Sequence, residues 1–473
     1  MKRHYLALDL GAESGRAMLA QLADGRLELK ELHRFANTPV PLPTGLYWDS
    51  LRLFHEMCEG IRVAAKSVED LDGIAIDTWG VDFGLLSADG ELLHMPRHYR
   101  DPRTVDTSAE VFEVVPRTEI FRQTGIQFME INSLYQLWVY QRDSPELLNR
   151  VSKLLFMPDL FNYFLTGTYA AERTIASTSQ FYDPVRKCFA TDLLRRLGIT
   201  GSFFPDLMDP GTELGNVLPY AADRCGLQHD TYVYTTGSHD TASAVAAVPA
   251  AGPDGWCYIS SGTWSLMGVE TESPVINDAS LEANFTNEVG VGNTIRVLKN
   301  IPGLWVLQEC RRDWAKRGKE YSYADLMERA RTAKAIDTVI DLDQFISPGN
   351  HPQRICAHCR ETGQEIPQDP GAMTRVILQS LAERYKQVLQ TLEELTGKGI
   401  NTIHIVGGGS RNSLLNQLTA DCTGRRVMAG PAEATAAGNA LTQAMGSGEL
   451  QSLEEIRAVV RQSFELEEFK PSR

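Results

Sequence analysis

Runs of apolar residues near the N-terminus predict two strands joined by a tight turn. Residues 5–10 are mostly apolar, residues 11–15 are small or polar and include two glycines, and residues 16–20 are again mostly apolar. Short apolar runs separated by glycine-containing turns are typical of β-hairpins. Asp24-Gly25 is a second turn signal, and it leads into a strand-like segment over residues 27–35.

The same pattern recurs in the second half of the chain. Residues 256–259 form an apolar run, residues 260–263 read Ser-Ser-Gly-Thr, and residues 264–269 predict a second strand. Both turns are short, contain glycine and carry a hydroxyl group. We therefore interpret the second hairpin as a repeat of the first.

Each half also contains a later strand that is preceded by a helix. Apolar residues recur at helical spacing over residues 51–67 and 372–395, ahead of residues 73–82 and 402–409, each of which predicts a strand that ends in a glycine turn. Two copies of a unit that mixes strands and helices predict an α/β fold. We expect two lobes, each with the same mixed sheet flanked by helices, and an interlobe cleft in which ligands bind.

The predicted boundary between the lobes lies in a turn-rich segment. Residues 249–255 read Pro-Ala-Ala-Gly-Pro-Asp-Gly, and they separate an Ala/Val-rich segment from a strand-like one. We accordingly predict an N-terminal lobe over residues 1–248 and a C-terminal lobe over residues 249–473.

Composition narrows the class of protein. Of 473 residues, 43% are hydrophobic and 23% are charged, which is typical of a globular protein. The net charge of −15 repels phosphate backbones, so nucleic-acid binding is not expected. No apolar run approaches the ~18 residues of a membrane helix, and the N-terminal run is too short for a signal peptide. We expect a cytoplasmic protein that does not bind membranes.

The cysteines predict reduced thiols. Six of the eight cysteines are scattered along the chain without regular spacing. Cys356-Ala357-His358-Cys359 has the spacing of metal ligands, and His351 lies nearby in the sequence. One such pair supplies two of the four ligands that structural zinc requires, so whether this segment binds a metal stays open.

The first turn has the residue types of a phosphate-binding site. Gly11 and Gly15 allow backbone N–H groups to approach an anion, and Ser14 adds a hydroxyl donor. Arg16 can bind phosphate oxygens with its planar guanidinium, and Asp9 can hold Mg²⁺ through water. The alternative is an ordinary hairpin with a surface arginine.

Two further segments suit a nucleotide. The turn at residues 260–263 offers N–H and hydroxyl donors, although an ordinary hairpin bend explains this turn better when it is taken alone. Glycines at positions 407–409 follow a strand and precede a helix that begins near Ser413, where a flat base or ribose could lie against the backbone. Neither the G-x-G-x-x-G fingerprint nor a P-loop is present, so any ATP is held in another way.

The Gly-Ser-His-Asp segment at residues 237–240 is a candidate catalytic turn. It opens a helix of small residues, and Asp240 lies in the first turn, where the helix dipole favours a carboxylate. Such a carboxylate could accept a proton from a sugar hydroxyl that attacks the γ-phosphorus of ATP. The alternatives are that Asp240 is a helix cap and that His239 is structural.

Polar segments elsewhere resemble a sugar-binding surface. Residues 77–82 and 99–103 combine Asp, Arg and Trp, the residue types that bind sugar hydroxyls and pack against sugar rings. Lys299-Asn300 is a similar polar pair after a predicted strand. The alternative interpretation is a structural network of ion pairs.

Five blocks in this order resemble the FGGY carbohydrate kinases, which belong to the actin, Hsp70 and hexokinase superfamily. The resemblance extends from about residue 5 to residue 446, and the blocks are residues 9–16, 76–83, 238–245, 260–268 and 404–409. It implies two actin-like, ribonuclease H-like lobes. The Trp-Gly-Val-Asp-Phe and His-Asp-Thr blocks are similar to the branch that phosphorylates L-rhamnulose, more than to xylulose or glycerol kinases.

The resemblance implies a reaction and a set of residue roles. The reaction is the transfer of the γ-phosphoryl group of ATP to the 1-hydroxyl of L-rhamnulose, with Mg²⁺, in L-rhamnose breakdown. Asp240 is the implied proton acceptor, and Asp9 is the implied metal ligand. The implied sugar contacts are Gly80, His239, Asp240, Thr241 and Asn300. The implied ATP contacts are Ala12, Glu13, Ser14, Gly15, Arg16, Thr263, Gln308 and Gly408.

Some details depart from the family or stay open. Certain relatives carry cysteine pairs in the C-terminal half, but Cys359 has no counterpart near Val376 and residues 420–423 contain only Cys422. Carried-over disulfides are therefore not expected. L-fuculose or L-xylulose remains possible as the substrate, as does an actin-like ATPase switch. A glycoside hydrolase that uses Asp82 and Asp240 is a further rival. The oligomeric state, monomer or homodimer, is open.

Overall fold

The computed structural model describes residues 2–227, 231–252 and 254–472. They form two compact units, and neither unit is a single stretch of chain. The first comprises Met1–Pro249, Glu270–Val297 and Ala434–Ser463, and the second comprises Ala250–Val269, Leu298–Glu433 and Phe464–Arg473. The first crossing between units falls at the turn-rich segment noted in the sequence, whereas the two later returns to the first unit carry no sequence signal that we identified.

The chain mixes strands and helices throughout. The strands are β1 Arg3–Leu10, β2 Ser14–Ala23, β3 Arg26–Ala36, β4 Val40–Leu42, β5 Gly45–Tyr47, β6 Gly73–Thr78, β7 Phe83–Leu86, β8 Lys153–Phe156, β9 Ala171–Glu172, β10 Tyr182–Asp183, β11 Cys188–Phe189, β12 Leu207–Met208, β13 Glu213–Asn216, β14 Tyr232–Tyr234, β15 Trp256–Ser261, β16 Ser265–Thr271, β17 Thr286–Val289, β18 Ile295–Ile301, β19 Thr402–Val406, β20 Arg426–Ala429 and β21 Glu467–Phe469. The helices are α1 Ser50–Ser67, α2 Thr107–Val114, α3 Arg117–Thr124, α4 Ser133–Asp143, α5 Pro145–Leu148, α6 Met157–Thr166, α7 Arg173–Ala176, α8 Thr191–Arg196, α9 Pro219–Cys225, α10 Asp240–Ala246, α11 Asp278–Glu282, α12 Trp305–Lys316, α13 Tyr323–Thr332, α14 His351–Glu361, α15 Pro370–Thr396, α16 Ser413–Thr423, α17 Ala434–Gly446 and α18 Leu453–Ser463.

A mixed sheet forms the centre of the first unit. Its strand order is β13-β14-β6-β1-β2-β3, with β1 antiparallel to β2 and parallel to β6. Alternate residues of β1 face opposite sides of the sheet. Leu8 packs in a core cluster with Met57 of α1, whereas Ala7 packs with Ala436 of α17. Both faces are therefore buried, which explains why β1 is apolar along most of its length.

The sheet of the second unit repeats this plan. Its strand order is β18-β16-β15-β19-β20-β21, with β15 antiparallel to β16 and parallel to β19. Strands β16 and β18 each contain a unit boundary, and β17, which lies beside β18, belongs to the first unit. The predicted α/β fold with a duplicated mixed sheet is confirmed.

The two long helices predicted from periodicity are present, and their ends have identifiable causes. Asp49 caps α1 by accepting a hydrogen bond from the N–H of Arg52. Asp369 caps α15, Pro370 occupies its first position, and Gly397 ends it at a φ of 66°. No helix in the described part of the chain has the length and apolar character needed to cross a membrane.

Candidate active site

The first glycine turn joins β1 to β2 in the first unit. The Gly11 N–H donates to the Ser14 carbonyl at 2.9 Å, which closes the turn. Asn37 holds the turn from outside, because its side chain donates to the Gly11 carbonyl at 2.9 Å. Gly15 is required by packing, since a Cβ atom there would lie 2.2 Å from the ring of Phe35. The predicted ATP contacts at Ala12 to Arg16 thus lie in one braced turn.

Two aspartates lie side by side at the end of this sheet. Asp9 of β1 is paired in register with Arg16 of β2 and with Asp77 of β6, and the Arg16 guanidinium forms an ion pair with the Asp9 carboxylate. Asp77 is fully buried, and burial together with the neighbouring Asp9 raises its pKa well above the usual range. Asn439 of α17 donates to one Asp77 oxygen at 2.6 Å.

The donor set around Asp9 fits a hydrated magnesium ion. Among the described residues, the second oxygen of Asp77, Oδ1, is buried and has no hydrogen-bond partner. No group of three or more His, Cys, Asp or Glu side chains in the described part of the chain forms a metal cage. Mg²⁺ commonly binds through one or two carboxylates, waters and substrate phosphates, so a full cage is not required.

The predicted catalytic turn sits beside these strand ends. The Thr78 N–H at the end of β6 donates to the Ser238 carbonyl at 2.9 Å, and Thr78 also forms a parallel bridge with His239. Gly237 is required here, because a Cβ atom would lie 2.7 Å from the N atom of Ser243. The Ser243 hydroxyl donates back to the Gly237 carbonyl at 2.7 Å. These contacts orient the start of α10.

Helix α10 carries Asp240 at its first position. Its capping residue is His239, and no side chain caps the helix, so Asp240 is not the helix cap that the sequence left as an alternative. Close packing on α17 holds the helix, because a Cβ atom at Gly438 would lie 1.8 Å from the Ser243 carbonyl oxygen. The Asp240 carboxylate therefore stays available for chemistry.

The Asp240 side chain combines partial exposure with a perturbed charge state. It is 31% exposed, and it accepts a hydrogen bond from the Thr241 hydroxyl at 3.0 Å. Burial raises the pKa of Asp240 and nearby Asp9 adds to the increase, while His239 and Thr241 oppose it. A carboxyl group with a raised pKa is a stronger proton acceptor once ionised, which suits a general base.

Glu172 supports this turn and was not predicted from the sequence. It is fully buried, and its carboxylate accepts hydrogen bonds from the N–H groups of Thr174, Ile175 and Ser238. The Thr174 hydroxyl, which also donates to Glu172, accepts the His239 N–H at 3.2 Å. Burial raises the pKa of Glu172 to about 7.

Two charged residues contact the side chain of His239. Glu288 of β17 lies 3.1 Å from its Nδ1 atom, and Arg296 of β18 lies 3.3 Å from the same atom. Both belong to the segment that returns to the first unit. In the sequence, Arg296 is marked only as a charged residue within the apolar first part of this strand, residues 295–298.

Gly80 and Asp82, both in the predicted sugar-binding segment at residues 77–82, have different surroundings. The half-buried Gly80 faces Thr178, whose hydroxyl oxygen would lie 3.2 Å from an added Cβ atom. Asp82 is fully buried and accepts hydrogen bonds from the indole N–H groups of Trp48 and Trp79. It also accepts from Gln136 at 2.8 Å. Asp82 is thus unavailable as a hydrolytic carboxylate, which removes the glycoside hydrolase interpretation.

In the second unit, the repeated turn docks on a helix. The Thr263 carbonyl accepts the N–H of Trp305 at 3.0 Å, and the Gln308 side chain on α12 donates to the Thr263 hydroxyl at 3.3 Å. A Cβ atom at Gly303 would lie 2.6 Å from the Trp264 backbone, so glycine is required for this docking. Thr263 and Gln308, both predicted ATP contacts, are therefore neighbours.

The glycine run after β19 packs against the same hairpin. Gly407 has a φ of 81°, and a Cβ atom at Gly409 would lie 2.0 Å from the Ser261 hydroxyl oxygen. Gly408 differs, because it is exposed and an added Cβ atom would meet nothing within 4 Å. Helix α16 begins at Ser413, as predicted. The structure thus leaves the backbone at Gly408 open to a ligand.

The remaining predicted residues lie on other elements of the chain. Asn300 is half-buried on the part of β18 that belongs to the second unit. Its neighbour Lys299 is buried, which lowers the pKa of its ammonium group to about 8. Cys356 and Cys359 lie on α14 as free thiols, and His351 is bonded to the Phe345 carbonyl at 2.9 Å.

Family models and curated relatives both match this chain. The N-terminal domain model of the FGGY family of carbohydrate kinases matches residues 4–247, and the C-terminal domain model matches residues 257–447. The chain is 42% identical over 473 residues to a rhamnulokinase of Bacteroides thetaiotaomicron, covering 100% of this chain and 96% of the relative. It is 40% identical to a rhamnulokinase of Bacillus subtilis, covering 99% and 95%.

Solved structures share the fold at low sequence identity. The xylulose kinase of Lactobacillus acidophilus aligns with a TM-score of 0.79 at 14% identity, covering 99% of this chain and 94% of that one. The glycerol kinase of Plasmodium falciparum aligns with a TM-score of 0.77 at 14% identity, covering 99% and 94%. Both domain models and the curated relatives therefore lead to one conclusion: the chain belongs to the FGGY family of carbohydrate kinases.

Proposed function

We propose that this chain catalyses the transfer of the γ-phosphoryl group of ATP to the 1-hydroxyl of L-rhamnulose, giving L-rhamnulose 1-phosphate and ADP. The observation that carries the proposal is full-length identity of 42% to a rhamnulokinase. The position of Asp240 supports it, because a partly exposed carboxylate with a raised pKa suits deprotonation of a sugar hydroxyl.

Asp240 is the proposed general base. Its carboxylate accepts the proton of the 1-hydroxyl as that oxygen bonds to the γ-phosphorus, while the bond from phosphorus to the β–γ bridging oxygen breaks. The bridging oxygen leaves on ADP, and the proton stays on Asp240 until solvent removes it. General-base assistance of this kind is worth about 10²- to 10⁴-fold in rate.

The sugar contacts are proposed at residues around the catalytic turn and on β18. Thr241 and His239 are nearly buried beside Asp240, and the half-buried Gly80 lies in the segment that follows β6. The side chains among them offer the hydroxyl and imidazole groups that recognise sugar hydroxyls. Asn300, from the second unit, is the proposed amide contact.

The proposed ATP contacts come from three structural features. The turn that contains Ala12 to Arg16 supplies N–H groups, a hydroxyl and a guanidinium. Thr263 and Gln308 supply neutral side-chain groups, and Gly408 supplies open backbone. Phosphoryl transfer depends mainly on such positioning and on charge stabilisation.

Magnesium is the proposed cofactor, with Asp9 as its residue on this chain. Asp9 is already paired with Arg16, so its carboxylate is held in place before the ion binds. When bound, Mg²⁺ neutralises phosphate charge. The chain contributes the carboxylate and the neighbouring guanidinium.

A coupled assay of ADP release tests the proposal. The protein is mixed with Mg·ATP and separately with L-rhamnulose, L-fuculose, L-xylulose and D-xylulose. We expect the highest kcat/KM with L-rhamnulose and a product phosphorylated at position 1. A higher value with another ketose would overturn the substrate assignment, and sugar-independent ATP hydrolysis at the same rate would favour an actin-like ATPase switch.

A further inference from the structure

The His239 ring lies between two carboxylates. Its Nδ1 atom is 3.1 Å from an oxygen of Glu288, and its Nε2 atom is 3.5 Å from an oxygen of Asp240. The His239 side chain is 9% exposed, so solvent does not set the orientation of the ring. The partner of Nδ1 therefore decides which ring nitrogen lies toward Asp240.

Arg296 holds Glu288 in place and keeps it charged. Its side chain is fully buried, and its Nη2 atom donates to Glu288 at 3.1 Å and to the Val289 carbonyl at 3.1 Å. Although burial acts in the opposite direction, Arg296 and His239 together lower the pKa of Glu288 below its usual value. An ionised carboxylate can only accept hydrogen bonds.

The two contacts of Nδ1 cannot both be hydrogen bonds to the same form of the ring. Glu288 requires a proton on Nδ1, whereas the Arg296 N–H at 3.3 Å would require a lone pair there. Arg296 has other acceptors in Glu288 and Val289, but Glu288 needs donors. These contacts favour a proton on Nδ1, and Nε2 then lies on the side of Asp240.

We propose that Glu288, held by Arg296, is a positioning residue that keeps His239 in the Nδ1–H form with Nε2 directed at Asp240. This inference rests on the proposed function for its catalytic consequence, but its structural content does not depend on the substrate. A carboxylate that fixes the tautomer and orientation of a catalytic imidazole is a recurring arrangement in enzymes.

The tautomer is measured by NMR of the full-length protein labelled with ¹⁵N-histidine. His239→Gln identifies the His239 signals among the ten histidines. We expect a protonated Nδ1 and an unprotonated Nε2 in the unmodified protein at neutral pH without ligands. Glu288→Met removes the acceptor near Nδ1 and leaves the Arg296 donor, so we expect the proton to move to Nε2.

A second variant avoids leaving the buried arginine without its carboxylate. Glu288→Met/Arg296→Met replaces both charges with apolar side chains of similar length, a change that is often tolerated in protein interiors. We expect a mixture of tautomers in this variant. With L-rhamnulose, we expect kcat to fall by about 10- to 100-fold, because His239 is no longer aligned with Asp240. The KM for ATP is expected to be unchanged.

Glu270→Met/Arg457→Met is the matched control. Glu270 and Arg457 form another buried Glu–Arg ion pair in the first unit, and their side chains are 8% and 7% exposed. We expect this control to retain the His239 tautomer and the KM for ATP, with kcat close to that of the unmodified protein. This control distinguishes the effect of removing a buried ion pair from the effect of removing the contact to His239.

Two results would overturn the positioning role. One is an unprotonated Nδ1 in the unmodified protein, and the other is a Glu288→Met/Arg296→Met variant that retains both the tautomer and kcat. Failure of the proposed function is distinguishable, because a protein that does not phosphorylate L-rhamnulose would still show the Nδ1–H form. In that case the kinetic arm is repeated with whichever ketose gives ADP release.

Discussion

The two hairpins at β1–β2 and β15–β16 have the same topology and opposite chemistry. Each is antiparallel within itself and parallel to a third strand, β6 or β19. In the first, Asp9 is in register with Arg16 and Asp77. In the second, Ser260 is in register with Leu266 and Val406. One scaffold thus carries charged groups in one unit and neutral groups in the other.

The carboxyl groups whose pKa burial raises follow the same division. Among the described residues, these carboxyl groups all lie in the first unit: Asp77, Asp82, Asp159, Glu172 and Asp240. Among the described residues of the second unit, the carboxyl groups with a shifted pKa are Glu309 and Asp325, and the pKa of each is lowered. The proposed proton acceptor, Asp240, thus belongs to this group of acids in the first unit, whereas the proposed ATP contacts of the second unit, Thr263, Gln308 and Gly408, are uncharged.

Replacing the proposed base tests this division most directly. We expect Asp240→Asn to lower kcat by about 10²- to 10⁴-fold, because the amide cannot accept the hydroxyl proton. ADP release measures turnover, and calorimetric titration measures retained ATP binding. Asp278→Asn is the control, since Asp278 also begins a short helix but is 88% exposed. Near-normal turnover of Asp240→Asn would remove the base assignment.

Changing one donor in each hairpin compares charged with neutral binding. We expect Arg16→Ala to lower kcat/KM for ATP by about 10- to 100-fold, because a charge-assisted hydrogen bond contributes about 1.5–3 kcal/mol. The decrease in kcat/KM for the sugar is expected to be smaller. Thr263→Val removes a neutral donor, so about 2- to 10-fold is expected. Arg34→Ala, on the neighbouring strand β3, is the control. Equal effects of Arg16→Ala on ATP and sugar would indicate a folding defect.

Two glycines distinguish packing from ligand access. An Ala side chain at Gly438 would collide with the Ser243 carbonyl, so we expect Gly438→Ala to destabilise the first unit by about 1–3 kcal/mol or more. Gly408 has open space around it, so Gly408→Ala is expected to stay within about 0.5 kcal/mol. Instead, we expect Gly408→Ala to raise the KM for ATP several-fold. Denaturant unfolding and steady-state kinetics measure both, and an unchanged KM would contradict the proposed role of Gly408.

Buried acids in the two units are expected to respond oppositely to pH. Glu172 has its pKa raised from 4.5 to about 7, so the folded state binds the extra proton and stability falls as pH rises through this window. The stability of the unmodified protein relative to Glu172→Gln should thus decrease from about pH 5 to about pH 8. Glu309 has a lowered pKa, so stability relative to Glu309→Gln should instead decrease on acidification below its ordinary value of 4.5. Parallel pH dependences of the two differences in unfolding free energy would contradict this comparison.

Local sequence determined the elements that carry most of the candidate site. Glycine turns between apolar runs were sufficient to predict both hairpins, and helical periodicity predicted α1 and α15 close to their observed ends. Gly237 and Gly15 occupy positions where backbone or aromatic packing admits no side chain. Such requirements act over a few residues, so they are visible in the order of residues alone. The motif blocks added the family and a specific proposal for Asp240.

Only the tertiary structure decided which buried charges support that residue. Glu172 contacts a backbone group 66 positions away, and Arg296 approaches a ring 57 positions away. Nothing in the local pattern predicts these pairs, because the energy of a buried charge depends on the partners that folding brings to it. The same applies to the segments Glu270–Val297 and Ala434–Ser463, which return to the first unit. Their apolar residues specify that they are buried, but the surface that buries them is chosen by long-range packing.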